Sequence, residues 1–274
     1  MSTELFADLA LARRLERAEA RSNASFVEAH ARLRPEAGAE WIEVAGAYAM
    51  FDGVHSPCTQ TFGLGMFQLP TDVELSAIEK FFRARGAPVF HEVSPLADKG
   101  LMPMLNERGY RPFEMSTVMF LPLAERAERK VPNEAIRVRT VKDNDEDREL
   151  FVRTFAEGWS EFTEYAEFML EMARISANTE GNVPFIAELD GQAVACGSLS
   201  IRDDVALFAG ASTVPAFRRR GAQQALLETR FRYARETGCQ LAMMGADPGS
   251  GSQRNAERQG FRIGYTRTKW KLAG

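Results

Sequence analysis

The feature that most constrains the fold is a junction, in the second half of the chain, between an apolar strand and an amphipathic helix. The apolar run ends at Val214, and Pro215 stops it because proline has no amide hydrogen to donate to a sheet. A short turn with three consecutive arginines and Gly221 follows, and the pattern of a helix then runs from Ala222 to Glu236. A strand that passes directly into a helix is the repeating element of α/β proteins, so the sequence predicts that class.

The same turn carries the chemical groups that bind a pyrophosphate. The helix start supplies unpaired backbone N–H groups and the positive end of a dipole, and Arg218, Arg219 and Arg220 add three guanidinium groups. Gly221 lets an anion approach the backbone, because a side chain there would keep it away. The turn lacks the Lys-Ser/Thr pair of a P-loop, and no G-x-G-x-x-G motif follows a strand in the chain. We therefore expect neither nucleotide hydrolysis nor dinucleotide redox chemistry.

The remaining hydrophobic pattern predicts two halves with the same order of elements. In each half a strand precedes an amphipathic helix that ends at glycine, followed by a strand, a short helix and a closing strand. The two short helices end on Arg-Gly-Tyr at 108–110 and on Gln-Gly-Phe at 259–261. The segment 125–134 is polar and rich in charge, which is typical of a linker. We therefore predict one domain at 1–124 and a second at 135–274.

Several local signals are specific enough to place individual elements. The first 34 residues have a helical pattern, and a second helix is predicted from Asp72 to Arg85, ending at Gly86. A strand is predicted at Thr61–Phe67, and a helix interrupted by proline at Leu96–Arg108. Asp190-Gly191 is a strong hairpin signal between two apolar strands.

The composition excludes several classes of protein. Hydrophobic residues at 45% and charged residues at 26% are typical of a soluble globular chain. A net charge of −4 gives no overall attraction to nucleic acid, so we expect no nucleic-acid partner. Residues 1–18 are interrupted by charges and no run of 18 apolar residues occurs, so we expect neither a signal peptide nor a membrane span. Three scattered cysteines form neither a disulfide framework nor a C-x-x-C knuckle, which favours a cytoplasmic protein without a metal.

The run from Val214 to Leu226, V-P-x-x-R-R-R-G-A-Q-x-A-L, resembles motif A of the GNAT superfamily of N-acyltransferases, whose pattern is Q/R-x-x-G-x-G/A. Arg218 matches its first position and Gly221 its first glycine, whereas Gln223 departs from the Gly or Ala of its last position. The resemblance covers about Ile136 to Leu272, and Ser252 to Phe261 resembles motif B.

The resemblance implies an α/β fold with two GNAT-like domains in tandem, each a mixed central sheet flanked by helices. At the place that corresponds to motif A, the first half has Phe67 to Asp72, with no arginine and no glycine turn. The first domain is therefore expected to be a degenerate GNAT-like domain without the coenzyme A motif.

Acetyl-CoA is the co-substrate that the resemblance implies. The turn would hold its pyrophosphate, and the preceding strand end would contact its pantetheine arm and acyl carbonyl. Ser252 and Asn255 are further candidates to hydrogen-bond the pantetheine arm; alternatively, Ser252 is the N-cap of its helix and Asn255 an ordinary surface residue. The implied cofactor-binding residues are Ser212, Thr213, Val214, Arg218, Arg219, Arg220, Gly221, Ala222, Gln223, Gln224, Ser252 and Asn255.

The resemblance also implies that an amine attacks the thioester directly in a ternary complex. The C-terminal half contains no histidine, which excludes a Ser-His or Cys-His triad built from it. Many family members place a tyrosine five residues before the phenylalanine of motif B to protonate the departing thiolate, and this chain has Ala256 there. Tyr265 or a water molecule is the remaining candidate for that proton.

The acceptor side is expected at Glu157–Tyr165, where the family's first two helices meet. Trp159 and Phe162 would hold an apolar acceptor there, or they pack in the core. Two functions stay open: an N-acetyltransferase for a small-molecule or peptide amine, and a non-catalytic coenzyme A-binding or interaction protein, which Ala256 favours. The sequence leaves a homodimer open as well.

Overall fold

The computed structural model describes residues 5–131 and 133–273. In chain order, the helices are α1 (Leu9–Leu33), α2 (Asp72–Arg83), α3 (Leu101–Glu107), α4 (Asp145–Glu157), α5 (Ala166–Ala177), α6 (Ala222–Glu236) and α7 (Gly251–Arg258). The strands are β1 (Glu40–Val44), β2 (Ala47–Phe51), β3 (Gln60–Phe62), β4 (Phe90–Val93), β5 (Tyr110–Pro122), β6 (Arg137–Thr140), β7 (Asn182–Leu189), β8 (Gln192–Arg202), β9 (Val205–Thr213), β10 (Leu241–Ala246) and β11 (Arg262–Leu272).

The chain forms two compact units, and the first is built from both ends of the sequence. Unit 1 comprises the residues up to Leu121 and those from Met243 onward, and unit 2 comprises Pro122–Ala242. This division differs from the predicted domains at 1–124 and 135–274, because residues from 243 onward belong with the N-terminal half. The physical reason is strand pairing: β11 is antiparallel to both β4 and β5.

Unit 1 surrounds a sheet with the strand order β1-β2-β3-β4-β11-β5. On one face, α1 buries Val27 against Met50 and Phe62. The opposite face is covered by α2 and α3, whose buried side chains cluster with Trp270 of β11. Because β11 lies between two other strands and contributes to the core, it is an internal strand of this unit.

Unit 2 has the antiparallel strand order β9-β8-β7-β6. The helices α4 and α5 pack on the face that carries Ile186, and α6 packs on the other, where Tyr233 meets the ring of Phe185 with centroids 5.5 Å apart. Asp190 and Gly191 form the turn between β7 and β8 with φ values of 52° and 78°. The predicted hairpin is confirmed, since a two-residue turn of this kind needs positive φ at both positions.

Two predicted elements differ from the structure at turns. The strand predicted at Thr61–Phe67 ends at Phe62, because Gly63 and Gly65 both have a φ of 73° and turn the chain away from the sheet. The helix predicted at Leu96–Arg108 begins at Leu101, with Pro103 in its first turn, where the missing amide hydrogen costs no helical bond.

A buried ionic network connects α1 to the sheet of unit 1. Arg267 of β11 is 2% exposed and forms ion pairs with Glu16, Glu19 and Glu92. Tyr265 donates a hydrogen bond of 2.8 Å from its hydroxyl to Glu16 Oε1. Burial raises the pKa of Glu16 to about 7, despite the opposing effect of Arg267. Near neutral pH the network therefore contains a carboxyl group that gains and loses its proton.

We predict that Glu16→Gln becomes more stable, relative to the native protein, as the pH rises from 5 to 8. The pKa of Glu16 is higher in the folded protein than in the unfolded chain. Protonation of Glu16 therefore stabilises the folded native protein fully below the unfolded pKa, and this stabilisation is lost as the pH rises through about 7. The amide keeps the acceptor for Tyr265 without a buried charge, which gives a relative gain of up to about 3 kcal/mol. Urea unfolding at several pH values measures this difference. The exposed Glu107→Gln is the control, and parallel pH curves for Glu16→Gln and the native protein would contradict the prediction.

We also predict that a fragment of residues 1–124 does not fold alone. Without β11, the strands β4 and β5 lose the strand between them, and each exposes an unpaired edge. Circular dichroism during urea titration should show no cooperative transition. A matched fusion of residues 1–121 to 243–274 through a flexible Gly/Ser linker should restore one. Cooperative unfolding of the 1–124 fragment would show that β11 is dispensable.

Candidate functional site

The junction between β9 and α6 borders a cavity of about 860 Å³. After β9 ends, Pro215–Phe217 form one 3-10 turn, and the chain then reverses with Arg219 at a φ of 62° and Gly221 at a φ of 94°. Gly221 is favoured here because its left-handed conformation is unfavourable for residues with a side chain. The next residue, Ala222, begins α6, so the helix start faces directly into the cavity.

The N-terminus of α6 carries no internal cap. No side chain accepts a hydrogen bond at this end among the described residues, and the first turn has no acidic residue. Ala222, Gln223 and Gln224 all line the cavity. Their backbone N–H groups and the positive end of the helix dipole thus form an anion-binding surface.

The three predicted arginines fall into two groups. Arg218 forms an ion pair with Glu161, and its Nη2 donates to the carbonyl oxygen of Gly158 at 3.1 Å. Arg219 and Arg220 are exposed and form no ion pair with any described residue, although Arg220 lies 5.2 Å from the ring of Phe217. These two guanidinium groups therefore have no carboxylate to exchange before they bind an anion.

The end of β9 is held in place by hydrogen bonds and close packing. Ser212 donates from its hydroxyl to the carbonyl oxygen of Phe155 at 2.9 Å, and a Cβ at Gly158 would lie 1.7 Å from that hydroxyl oxygen. Gln223 donates from Nε2 to the carbonyl oxygen of Ser212 at 3.0 Å and to Thr213 Oγ1 at 2.6 Å. The residue that departs from motif A thus ties the helix to the strand.

A β-bulge interrupts β9 just before the cavity wall. Ser198 pairs with Ala209 and Cys196 with Ser212, so Gly197 faces the two residues Gly210 and Ala211. Gly210 has a φ of 58°, and the segment from Ala209 to Ala211 is exposed. The bulge turns this part of the strand out of the regular ladder and toward solvent.

Most predicted cofactor-binding residues of unit 2 come together at this cavity. Those that line it are Ser212, Thr213, Arg218, Arg219, Arg220, Gly221, Ala222, Gln223 and Gln224. Val214 is only 3% exposed and packs in the core beneath the turn. Any contribution of Val214 to ligand binding therefore has to come from its backbone.

The predicted linker contributes a residue to the site that sequence reasoning missed. Asn133 lines the cavity and donates from Nδ2 to the carbonyl oxygen of Arg220 at 3.2 Å. This segment is anchored to α6 by a buried bidentate ion pair between Arg126 and Glu228, with Arg126 3.9 Å from the ring of Phe231. Nothing in the local pattern around Asn133 distinguishes it from other polar residues of a connecting segment.

An aromatic pair from the predicted acceptor segment forms another wall. Trp159 and Phe162 both line the cavity, and their ring centroids are 5.9 Å apart. Phe162 is 45% exposed, and the buried Nε1 of Trp159 has no hydrogen-bond partner among the described residues. This wall presents the apolar surface of two aromatic rings to the cavity.

Ser252, Asn255 and Tyr265 lie in unit 1. The N-cap of α7 is Ser250 and not Ser252, and both Ser252 and Asn255 are exposed on that helix. Their contact with a cofactor stays a prediction. Tyr265 is buried with its hydroxyl bonded to Glu16, and burial raises the pKa of this hydroxyl. These surroundings favour a structural role for Tyr265 over that of an acid.

The corresponding helix start in unit 1 has the opposite chemistry. Thr71 and Glu74 form a capping box at the N-terminus of α2, in which each side chain bonds the backbone N–H of the other. Asp72 and Glu74 add negative charge to the first turn. The backbone N–H groups that an anion would need are already hydrogen-bonded there, and the two carboxylates would repel it. This agrees with the missing arginines and glycine turn.

Within residues 5–131 and 133–273, no three His, Cys, Asp or Glu side chains form a metal-binding group. No helix in the same ranges combines the length and hydrophobicity needed to cross a bilayer. Cys58, Cys196 and Cys239 are buried and unpaired.

Part of the chain matches a known protein family by sequence. Residues 139–261 match the sequence model of the acetyltransferase (GNAT) family. No curated protein sequence matches the chain significantly.

Solved structures share the fold along nearly the whole chain. A GCN5-related N-acetyltransferase from Kribbella flavida has 19% identity and a TM-score of 0.64, with 93% of this chain and 95% of that one covered. A tandem GNAT protein from the clavulanic acid biosynthesis pathway has 14% identity and a TM-score of 0.59, covering 83% and 79%. A GCN5-related N-acetyltransferase from Sphaerobacter thermophilus has 16% identity and a TM-score of 0.55, covering 94% and 92%. At these identities the likeness establishes the fold, and the family match is independent of it. The chain therefore contains a domain of the acetyltransferase (GNAT) family at residues 139–261, within a fold that it shares with a tandem GNAT protein.

Proposed function

We propose that the protein is an acyl-CoA-dependent N-acetyltransferase that moves an acetyl group from acetyl-CoA to a small-molecule or peptide amine. The observation that carries the proposal is the uncapped start of α6, which faces the cavity beside two arginines without ion-pair partners. Such a site is suited to the pyrophosphate of coenzyme A, because a helix N-terminus binds phosphate groups through its free backbone N–H groups. The GNAT domain and the fold supply the reaction class.

The residues at the junction fit acetyl-CoA as a substrate. The amides from Gly221 to Gln224 and the guanidinium groups of Arg219 and Arg220 would hold the pyrophosphate. Arg218 would add to this only by exchanging Glu161 for phosphate, so its first role is to keep the loop at Gly158 beside the turn. The exposed strand segment that ends at Thr213 would lie along the pantetheine arm and the acyl carbonyl.

The acceptor would enter from the side walled by Trp159 and Phe162. Apolar surface of this kind favours an amine carried on an aliphatic or aromatic group. The unprotonated nitrogen attacks the thioester carbonyl directly, and a C–N bond replaces the C–S bond. The nitrogen gives one proton to water, and the sulfur takes one up to leave as a thiol. Since Tyr265 is buried and Ala256 replaces the family's tyrosine, water is the proton donor in this proposal.

The second candidate function is a protein that binds coenzyme A without turnover. Ala256 favours it, because this buried methyl group at the motif B position supplies no proton. Both functions require the same cofactor site, so binding alone does not separate them. Only the transfer of an acetyl group to an amine does.

We predict that Gly221→Glu abolishes acetyl-CoA binding in calorimetric titration, whereas the native protein binds about one equivalent. The glutamate would place a carboxylate where the pyrophosphate must lie, in addition to backbone strain at a φ of 94°. Gly191→Glu is the matched control, because Gly191 has a φ of 78° and open space around it but lies in a hairpin outside the cavity.

Arg219→Ala and Arg220→Ala should each weaken binding roughly tenfold through loss of a charge-assisted contact. The exposed Arg232→Ala on α6 should have no effect. Equal loss of affinity in the Gly221 and Gly191 variants would trace the effect to strain, and the assignment of the turn would fail.

We predict that acetyl-CoA is converted to free coenzyme A only when an amine is added, as monitored by a thiol reagent. The panel contains an arylalkylamine, a linear polyamine and a lysine-containing peptide, and mass spectrometry identifies the acetylated product. The aromatic wall predicts that the arylalkylamine has the lowest KM, and Phe162→Ala should raise that KM with little change in acetyl-CoA affinity. Tight acetyl-CoA binding without any product would favour the non-catalytic function.

A further inference from the structure

A buried arginine lies beneath the bulge of β9, away from the three arginines of the turn. Arg230 of α6 is 2% exposed, and no carboxylate among the described residues pairs with it. Burial lowers its pKa only to about 10, so the guanidinium is charged at neutral pH. An unpaired charge in a protein interior is costly, and its neighbours have to compensate for it.

The compensation comes from backbone carbonyls on both strands of the bulge. Arg230 Nη1 donates to the carbonyl oxygen of Ser198 on β8 at 3.0 Å and, at 3.4 Å, to that of Ala209 on β9. The guanidinium carbon lies 5.2 Å from the ring of Phe208. A Cβ added to Gly197 would lie 3.1 Å from both Cζ and Nη1, so the guanidinium rests directly on that glycine.

These contacts coincide with the place where the ladder is broken. Gly197 is the residue that faces both Gly210 and Ala211, and Ser198 and Ala209 are the last regular pair before them. Carbonyl groups at the edge of a bulge lose ladder partners and need other donors when they are buried. Arg230 makes both hydrogen bonds from Nη1, and the planar guanidinium that carries this nitrogen lies against Gly197, a shape that the ammonium of lysine does not have.

The position of Arg230 on α6 links the bulge to the anion-binding turn. Arg230 lies nine positions after Gly221, which is roughly 13 Å along a helix axis. One rigid helix thus carries the uncapped N-terminus at its start and the contact to the bulge further along. The distance between the turn and the exposed strand segment is set by that helix.

We infer that Arg230 is a positioning residue for acetyl transfer: it fixes the bulged segment Ala209–Ala211, so that β9 presents a preformed wall from Ala211 to Thr213 to the substrate. The inference rests on the proposed function for its catalytic consequence. Its structural part, the clamping of the bulge, stands independently. Arg230 itself does not line the cavity and touches no reacting atom.

The test compares Arg230→Met, which keeps the apolar bulk without hydrogen-bond donors, and Arg230→Lys, which keeps the charge without the planar guanidinium. Arg232→Met, on the exposed side of the same helix, is the control. Amide hydrogen exchange of residues 209–213 measures the bulge without any ligand. Calorimetry with acetyl-CoA and steady-state kinetics measure the consequence for the site.

We expect Arg230→Met to raise amide exchange in 209–213 at least about tenfold, because carbonyls without partners loosen the segment. The value of kcat/KM should fall by about 10- to 100-fold, since small displacements of a substrate wall have effects of that size. Arg230→Lys should show smaller changes than Arg230→Met in both amide exchange and kcat/KM, and Arg232→Met should resemble the native protein. If Arg230→Met does not fold, Gly197→Ala, which displaces the guanidinium, takes its place.

Unchanged exchange at 209–213 in folded Arg230→Met would overturn the inference, whatever the activity. A native protein that neither binds nor turns over acetyl-CoA would instead overturn the proposed function. In that case the exchange measurement would still decide whether Arg230 clamps the bulge. Faster exchange with native kcat/KM would overturn the catalytic part of the inference.

Discussion

Where β9 leaves the regular sheet, its backbone polar groups need hydrogen-bond partners outside the sheet. Several contacts of unit 2 supply these partners. At the bulge, Arg230 donates to the carbonyls of Ser198 and Ala209. At the end of the strand, Gln223 donates to the carbonyl of Ser212. Beyond it, the first amides of α6 meet the cavity with no cap from the protein. Side chains of the protein thus bond the backbone carbonyl oxygens here, whereas the backbone N–H groups at the start of α6 are left for an anion. A pyrophosphate site needs donors of this kind without competing acceptors.

The starts of α2 in unit 1 and of α6 in unit 2 show two uses of a helix N-terminus. In unit 1 the capping box of Thr71 and Glu74 consumes the amides that open α2, and the helix gains stability from its own side chains. In unit 2 the same positions of α6 have neither cap nor acid, so the helix gives up that stabilisation. In the proposed function, a bound anion would supply that stabilisation.

The local sequence pattern predicts the helices, strands and turns of this protein better than it predicts which of them contact each other. Helix α6 and the Asp190-Gly191 hairpin follow from periodicity and turn chemistry, and the arginine turn follows from residue types that have few other uses beside a helix start. Gly210 inside the apolar strand is compatible with a bulge, but only the pairing of β8 with β9 shows which residues face each other there. Asn133 and Arg230 act through residues far away in the chain. The place of β11 between β4 and β5 depends on pairing over the whole chain, which no window of sequence contains.

The insertion of β11 also imposes an order on biosynthesis. Its partners β4 and β5 leave the ribosome before unit 2, and β11 follows only after unit 2. At typical elongation rates this interval is on the order of ten seconds. During that time, two strand edges face a gap that any other extended segment can enter. The nascent chain is then exposed to exchange of strands between neighbouring copies on a polysome, and rapid folding of unit 2, which delivers β11 to its own gap, is the intramolecular competitor.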